Sequence, residues 1–246
     1  MYPATAKGVL PTQPMAPVPL RLVPFTVTTA TYLLYWIPKY RSSPNDHESY
    51  HSVIAKCLPI LCLCGFIISY TRNHPVTNYP QFILAGLIFS CFGDAFLVYG
   101  HTGKIYFLLG LLSFAIGHMM YTIAFGFNHL KLSVLLFCAP VGIITYIYLL
   151  PGLHGELYFF CALYTLLICV MNWGAISRVS LTDIKWPELC GSLGALVFYV
   201  SDLVLSINKF LYPVPHGYYI IMSTYYLAQL GISLSVVPTL SMKKLY

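Results

Sequence analysis

The sequence predicts an all-α integral membrane protein, built as a single bundle of eight transmembrane helices. Of its 246 residues, 58% are hydrophobic and only 8% are charged, with a mean hydropathy of +0.75, whereas about 25% of the residues in an ordinary soluble domain are charged. Apolar runs recur along the chain, and about 20 helical residues cross the ~30 Å hydrocarbon core of a bilayer. A soluble domain of this length could not bury so much apolar surface.

The eight predicted helices follow one another with short breaks, and each break carries turn-forming residues or charge. Their expected ranges are 22–38, 52–71, 80–99, 105–127, 132–150, 157–177, 188–207 and 217–238. In the same order, the breaks contain Pro44 with Asn45, Asn73 with Pro75, Gly100 with Gly103, Asn128 with His129, Pro151 with Gly152, Arg178 with Lys185, and Pro213 with Pro215. We expect residues 22–238 to form one domain between a proline-rich disordered tail, 1–21, and a short basic tail, 239–246.

The positions of lysine and arginine predict the topology, because cytosolic loops are enriched in both residues. With eight helices, both tails lie on one side of the membrane. That tail side carries eight lysines and arginines, against five on the opposite, far side. The bias predicts that both termini are cytosolic.

Charge and cysteine content exclude two further classes of protein. The formal net charge of +6 is too scattered for a nucleic-acid-binding surface, which needs clustered lysine and arginine. All eight cysteines fall within or at the edges of apolar segments, where thiols act as small buried hydrophobes. We therefore expect no nucleic-acid partner and no disulfide framework.

Two aspartates, Asp94 and Asp202, lie inside otherwise apolar segments near the far-side ends of the third and seventh helices. A carboxylate in hydrocarbon costs about 3 kcal/mol on insertion scales, so such a residue indicates a functional site. The helical rise places both carboxyls roughly 8–9 Å below the membrane edge. We therefore predict that they share a depth and a side.

Other polar side chains are expected in the same half of the membrane. They are Lys56, His118, Tyr121, Ser206, Asn208, Lys209, Tyr225 and Gln229. Such a cluster is typical of a site for a polar headgroup or a reacting bond. Purely structural roles remain open as alternatives: either lysine could extend to the lipid headgroups, and the aspartates could be buried ion-pair partners of Lys56 or Lys209.

Acid–base chemistry by the two carboxyls is the catalysis that these residues favour. His118 is the only histidine deep in a predicted helix, whereas a catalytic zinc needs about three converging ligands. The sequence also lacks a nucleophile elbow, a zinc-binding helix motif and a glycine-rich phosphate loop. We expect neither a metal nor any other cofactor.

Six short motifs occur in order along the predicted helices. They are Lys56-Cys57-Leu58-Pro59-Ile60, Gly93-Asp94-Ala95-Phe96-Leu97, His118-Met119-Met120-Tyr121, Ser201-Asp202-Leu203, Asn208-Lys209-Phe210 and Met222-Ser223-Thr224-Tyr225-Tyr226-Leu227-Ala228-Gln229. Together they resemble the lysoplasmalogenase-like transmembrane family, over about residues 22–236.

The resemblance implies an eight-helix enzyme of the endoplasmic reticulum membrane that hydrolyses the vinyl ether of lysoplasmalogens. The products would be a fatty aldehyde and glycerophospho-ethanolamine or -choline. In this interpretation Asp94 and Asp202 are catalytic, and the partner is a lysophospholipid within the membrane. Lys56 and Lys209 are candidate phosphate ligands, and Asn208 and Tyr225 would orient the carboxyl pair or the glycerol hydroxyl.

A proton-coupled carrier is the alternative, because intramembrane aspartates also relay protons. Carriers usually bind their cargo near the midplane, between broken helices. Asp94 and Asp202 are off centre, and proline does not interrupt their apolar segments. The sequence therefore favours the enzyme.

Overall fold

A computed structural model describes residues 17–42, 50–72, 77–100, 102–128, 130–180 and 182–237. Over these ranges the chain is helical, with eight long helices and no strand. Residues 1–16 of the predicted N-terminal tail, 1–21, and the whole predicted C-terminal tail, 239–246, lie outside the described residues, as do several of the predicted breaks.

The eight helices match the eight predicted segments closely. Helix α1 comprises Val18–Thr31, a π-helical turn Tyr32–Trp36, and Ile37–Ser42. The others are α2 Tyr50–Thr71, α3 Asn78–Val98, α4 Lys104–Phe125, α5 Leu132–Leu149 with a 3₁₀ turn Leu150–Gly152, α6 Leu157–Ser177, α7 Trp186–Phe210 and α8 Gly217–Leu234.

Four helix ends differ by three or more residues from their predicted positions, among them the end of α1, at Ser42 instead of 38. Helix α1 begins at Val18, so residues 18–21 are helical instead of belonging to the tail. Proline in the first turn is compatible with this start, since its missing N–H would have no helical partner there. Helix α7 continues to Phe210, three residues past its predicted end, and α8 ends at Leu234 instead of 238.

Six of the helices, α2 to α7, are long and apolar enough to span a membrane. Helix α1 is divided by its π-helical turn, which directly precedes Pro38. Proline cannot donate to the carbonyl four residues earlier, and its ring clashes there. Helix α8 carries four tyrosines and Gln229 and is not among these six. Large apolar side chains such as Leu34, Phe159 and Leu166 are exposed, as lipid contact requires.

Close helix packing depends on glycines in two pairs of helices. A Cβ atom added to Gly117 of α4 would lie 3.2 Å from the Gly86 carbonyl of α3, and one added to Gly194 of α7 would lie 2.7 Å from the Ile232 nitrogen of α8. Small residues at such crossings let helix backbones approach each other within a membrane. The close crossings bring α3 against α4 and α7 against α8.

Polar contacts show which helix ends lie together. On the far side, Lys104 at the start of α4 contacts Glu156, just before α6, at 2.7 Å. This hydrogen bond lowers the pKa of the exposed Glu156 carboxyl. On the tail side, Tyr79 of α3 bonds to Ser235 after α8 at 2.7 Å and to Arg178 after α6 at 2.8 Å.

Candidate active site

Asp94 lies between a lysine and a tyrosine from two other helices. Its side chain is 2% exposed, and Lys56 Nζ of α2 lies 3.3 Å from its Oδ1. The Tyr225 hydroxyl of α8 donates to Oδ2 at 2.6 Å. Both carboxyl oxygens of Asp94 therefore have partners. The ion pair with Lys56 is one of the two pairings that the sequence allowed, the other being with Lys209.

Asp202 has a different environment. The Tyr164 hydroxyl of α6 donates to its Oδ2 at 2.6 Å, and His118 Nε2 of α4 lies 3.2 Å from the same oxygen. The Tyr164 hydroxyl and His118 Nε2 also lie 2.9 Å apart. No lysine or arginine forms an ion pair with Asp202 among the described residues.

An aromatic cluster connects these two polar groups. The Phe198 ring lies 4.7 Å from the His118 ring and 5.5 Å from the Tyr225 ring, both in edge-to-face geometry. Phe114 packs edge-on against the Tyr225 ring at 5.9 Å. Edge-to-face packing restricts the rings. The Tyr225 hydroxyl that contacts Asp94 and the His118 imidazole that contacts Asp202 are therefore positioned by the same aromatic cluster.

Both aspartates line one cavity of about 310 Å³, within the range of ordinary ligand pockets. Its polar wall consists of Lys56, Asp94, Ser201, Asp202, Asn208, Lys209, Tyr218 and Tyr225. Its apolar wall includes Ile37, Leu97, Val98, Phe107, Phe114, Leu205, Ile221 and Met222. Asp94 lies four residues before the end of α3 and Asp202 eight before the end of α7. The two aspartates lie at different distances from the ends of their helices because α7 extends further past its aspartate than α3 does. Both nevertheless line the same cavity.

Two predicted site residues lie at the far-side rim of this cavity. Lys209 is exposed, and its ammonium lies 5.0 Å from the centre of the Phe107 ring. Asn208 is also exposed, and its Oδ1 accepts a hydrogen bond from the Val214 backbone at 2.9 Å. Lys56, by contrast, is only 7% exposed. Among the described residues, the exposed cation at the rim is thus Lys209, which forms no ion pair with a carboxylate.

The remaining predicted residues separate into two groups. His118 contacts Asp202, and Ser206 lines a small adjoining cavity together with Asp202 and Tyr164. Tyr121 and Gln229, expected at the substrate site, bond to each other at 2.6 Å and are absent from the described lining of both cavities. They lie one to two helical turns further from the far side than Tyr225 and Phe114, which accounts for their separation.

Two tyrosines of the site were not predicted from the sequence: Tyr218, which lines the cavity, and Tyr164, which donates to Asp202. Tyr164 is the one that contacts a carboxyl. It lies in the middle of α6, among the apolar residues of Leu157–Ser177. Its hydroxyl is the signal that could have identified it, but tyrosine is common in this chain, with 21 copies. Only the packing of α6 against α4 and α7 distinguishes it from the others.

The described residues contain no group of three histidine, cysteine, aspartate or glutamate side chains that could hold a metal ion. The two carboxyls are instead surrounded by one ammonium, two phenols and one imidazole. These are partners for proton transfer and charge stabilisation. All eight cysteines are free.

Comparison with known proteins identifies close relatives. Residues 51–236 match the YhhN family. Lysoplasmalogenase TMEM86A of Homo sapiens is 41% identical over 223 residues, covering 88% of each chain. Lysoplasmalogenase TMEM86A of Bos taurus is 40% identical over 88% of each chain, and lysoplasmalogenase TMEM86B of Homo sapiens is 34% identical over 87% of this chain and 85% of that protein. No solved structure matches the chain. The relatives' names confirm the resemblance found in the sequence.

Proposed function

This chain belongs to the YhhN family, and on that basis we propose that it is a membrane enzyme that hydrolyses the vinyl ether bond of lysoplasmalogens. The products are a fatty aldehyde and glycerophospho-ethanolamine or -choline. The observation that carries the proposal is the single cavity lined by Asp94 and Asp202, in a chain whose relatives are named lysoplasmalogenases.

The chemistry of a vinyl ether suits a pair of carboxyls. Hydrolysis begins when an acid protonates the enol carbon, which leaves an oxocarbenium-like cation. Water then adds, and the resulting hemiacetal collapses to aldehyde and alcohol. Glycosidases meet the same demand with one protonated carboxyl and one ionised carboxyl. Two carboxyls near each other in a low-dielectric site favour such a division, with one proton between them.

The cavity walls support a particular orientation of the lipid. The phosphate lies at the far-side rim, where Lys209 is exposed and unpaired with any carboxylate of the described residues. The alkenyl chain lies against the apolar wall, beside Leu97, Phe107 and Phe114. The vinyl ether then lies between the headgroup and the chain, at the depth of the two aspartates.

All eight helices cross the membrane in this proposal, and both termini are cytosolic. Helix α1 supports this count because it packs into the bundle, with Arg21 Nη1 donating to the Ser69 carbonyl of α2 at 3.1 Å. The eight-to-five distribution of lysine and arginine supports the orientation. We propose the endoplasmic reticulum as the location, and labelling of single introduced cysteines in sealed microsomes tests the topology.

Aldehyde release by the purified protein tests the function. The protein in detergent is incubated with lysoplasmenyl-ethanolamine, lysoplasmenyl-choline and the matched saturated alkyl-ether lysolipid. We expect aldehyde from the two vinyl ethers and none from the saturated ether. Aldehyde released by the Asp202→Asn variant, purified in the same way, measures the activity of contaminating enzymes. Absence of aldehyde from every lipid contradicts the enzyme and favours the carrier.

A further inference from the structure

The two aspartates of the cavity are not equivalent. Asp94 has partners on both oxygens, with the Lys56 ammonium 3.3 Å from Oδ1 and the Tyr225 hydroxyl 2.6 Å from Oδ2. Both partners of Asp202, Tyr164 and His118, contact the same oxygen, Oδ2. Asp202 Oδ1 has no hydrogen bond from the described residues, and its side chain is 14% exposed on the cavity.

The neighbours of Asp94 stabilise its ionised form. Lys56 is itself buried, and removing one partner of a buried ion pair leaves the other charge uncompensated at high cost. The contact between Asp94 and Lys56 is strongest when both groups are ionised, and the pair then contributes no net charge to the site. An ionised carboxylate with both oxygens bonded cannot supply a proton to the substrate.

The neighbours of Asp202 are neutral donors. Tyr164 has one hydroxyl proton, which it donates to Asp202, and a proton on the nearby His118 Nε2 lets His118 donate to the same oxygen. His118 Nδ1 is buried without any hydrogen-bond partner, which favours an unprotonated Nδ1, because a buried N–H there would be unsatisfied. The imidazole is then neutral. The proton of an Asp202 carboxyl belongs on Oδ1, since Oδ2 already accepts two hydrogen bonds.

We propose that Asp202 alone carries the transferable proton, while Asp94 is a permanent anion held by Lys56. Tyr164 is a positioning residue that turns the free oxygen of Asp202 towards the substrate. This assignment rests on the proposed function, because it divides the roles of that same reaction between the two carboxyls.

The reaction then balances through Asp202. Its Oδ1 proton moves to the enol carbon, and the π electrons of the double bond form the new C–H bond. Asp94 stabilises the oxocarbenium ion. Water adds to the cationic carbon and returns a proton to Asp202. In the collapse, Asp202 protonates the leaving glycerol oxygen and accepts the hemiacetal hydroxyl proton, so that the carboxyl ends protonated, as it began.

A cationic ligand distinguishes the two assignments because the variants change the charge of the site differently. The probe is a lysolipid in which a protonated secondary amine replaces the ether oxygen, one of the two atoms that share the oxocarbenium charge, and the control ligand is the neutral alkyl-ether lysolipid. Asp94→Asn leaves Lys56 as an uncompensated cation, whereas Asp202→Asn replaces a neutral carboxyl with a neutral amide. Dissociation constants for both ligands are measured by equilibrium binding in detergent.

We expect Asp94→Asn to weaken amine binding by about 100-fold, the effect of one unit charge several ångströms away at an effective dielectric constant of about 20. Asp202→Asn should bind the amine as the wild type does. The assignment is overturned if only Asp202→Asn loses affinity for the amine, if both variants lose it equally, or if neither variant loses it. Binding of the neutral ether reports folding in each case.

A double variant covers the case in which Asp94→Asn does not fold. Lys56→Met/Asp94→Asn removes both buried charges and keeps the net charge of the site, so we expect affinity for the amine above that of Asp94→Asn and no higher than that of the wild type, which keeps the Asp94 anion beside the cation. If Asp202 is instead the anion, this variant loses a cation and binds the amine more tightly, which overturns the proposal. None of these measurements requires turnover, so an absence of aldehyde release refutes the proposed function separately.

Tyr164→Phe tests the positioning role. We expect a fall in kcat with unchanged affinity for the neutral ether, because the acid is misoriented but the cavity keeps its shape. Tyr146→Phe is the matched control, since its hydroxyl donates to the Tyr158 carbonyl at 3.1 Å, away from either aspartate. Equal effects of the two substitutions, or a loss of ether binding in Tyr164→Phe, show that Tyr164 has only a structural role.

Discussion

The buried ion pair between Lys56 and Asp94 makes a prediction about stability that is independent of activity. Lys56→Met keeps the length of the side chain and removes the ammonium that lies 3.3 Å from Asp94 Oδ1. Asp94 is 2% exposed, so water replaces the lost partner only in part. Tyr225 then remains as its one hydrogen-bond donor among the described residues.

The size of the effect follows from this burial. Removing one partner of a buried ion pair typically costs about 3–5 kcal/mol, because an uncompensated charge remains in a low-dielectric environment. We expect this decrease in the free energy of unfolding for Lys56→Met. The double variant Lys56→Met/Asp94→Asn should recover most of it, since the charge is then gone and the amide oxygen still accepts from Tyr225.

A double-mutant cycle in detergent measures the coupling. Free energies of unfolding are determined by denaturant titration for the wild type, Lys56→Met, Asp94→Asn and the double variant. Lys104→Met is the control, because its pair with Glu156 is exposed to solvent, and we expect no measurable change in it. The reasoning is refuted if Lys56→Met costs no more than Lys104→Met, or if the double variant is as unstable as the sum of the two single variants.

Four further predictions concern catalysis. Asp94→Asn and Asp202→Asn should each lower kcat by at least about 100-fold, the scale of general acid–base catalysis. If a variant expresses normally and retains more than about a third of the wild-type activity, the aspartate that it replaces is structural and not catalytic. Lys209→Met should raise KM with kcat unchanged, because a phosphate contact is common to the ground and transition states; a fall in kcat alone would place Lys209 beside the reacting bond. Aldehyde release should persist in EDTA, since two carboxyls bind a divalent ion weakly without further donors; loss that added metal restores contradicts the mechanism. Ester and saturated alkyl-ether analogues should inhibit competitively without being cleaved, because ester cleavage needs a nucleophile and an oxyanion hole; ester cleavage at a comparable rate would indicate a different mechanism.

The helices were predictable because apolar length is a local property. All eight predicted segments coincide with helices, and six of these meet the requirements for a membrane span. The errors lie at helix ends, such as the start of α1 at Val18 and the end of α7 at Phe210. Ends depend on capping and on contacts with neighbouring helices, which composition does not record.

The sequence also identified Asp94 and Asp202, because a carboxyl within an apolar segment is costly wherever that segment packs. It could not assign partners to them. Lys56 was predicted either to bind the phosphate or to pair with an aspartate, and it contacts Asp94, while Tyr164 was not predicted at the site and donates to Asp202. Nothing local distinguishes Tyr164 from the other tyrosines of the chain.

The sequence by itself therefore determined the class of protein, the helices and the two carboxyls that membrane insertion makes costly. The tertiary structure decided which oxygen of each carboxyl is bonded, which cation is paired and which tyrosines belong to the site. These contacts join residues 38 to 131 positions apart in the chain. They depend on the rotation and crossing of whole helices, which close approach at glycines such as Gly117 and Gly194 sets, and no run of neighbouring residues specifies that geometry.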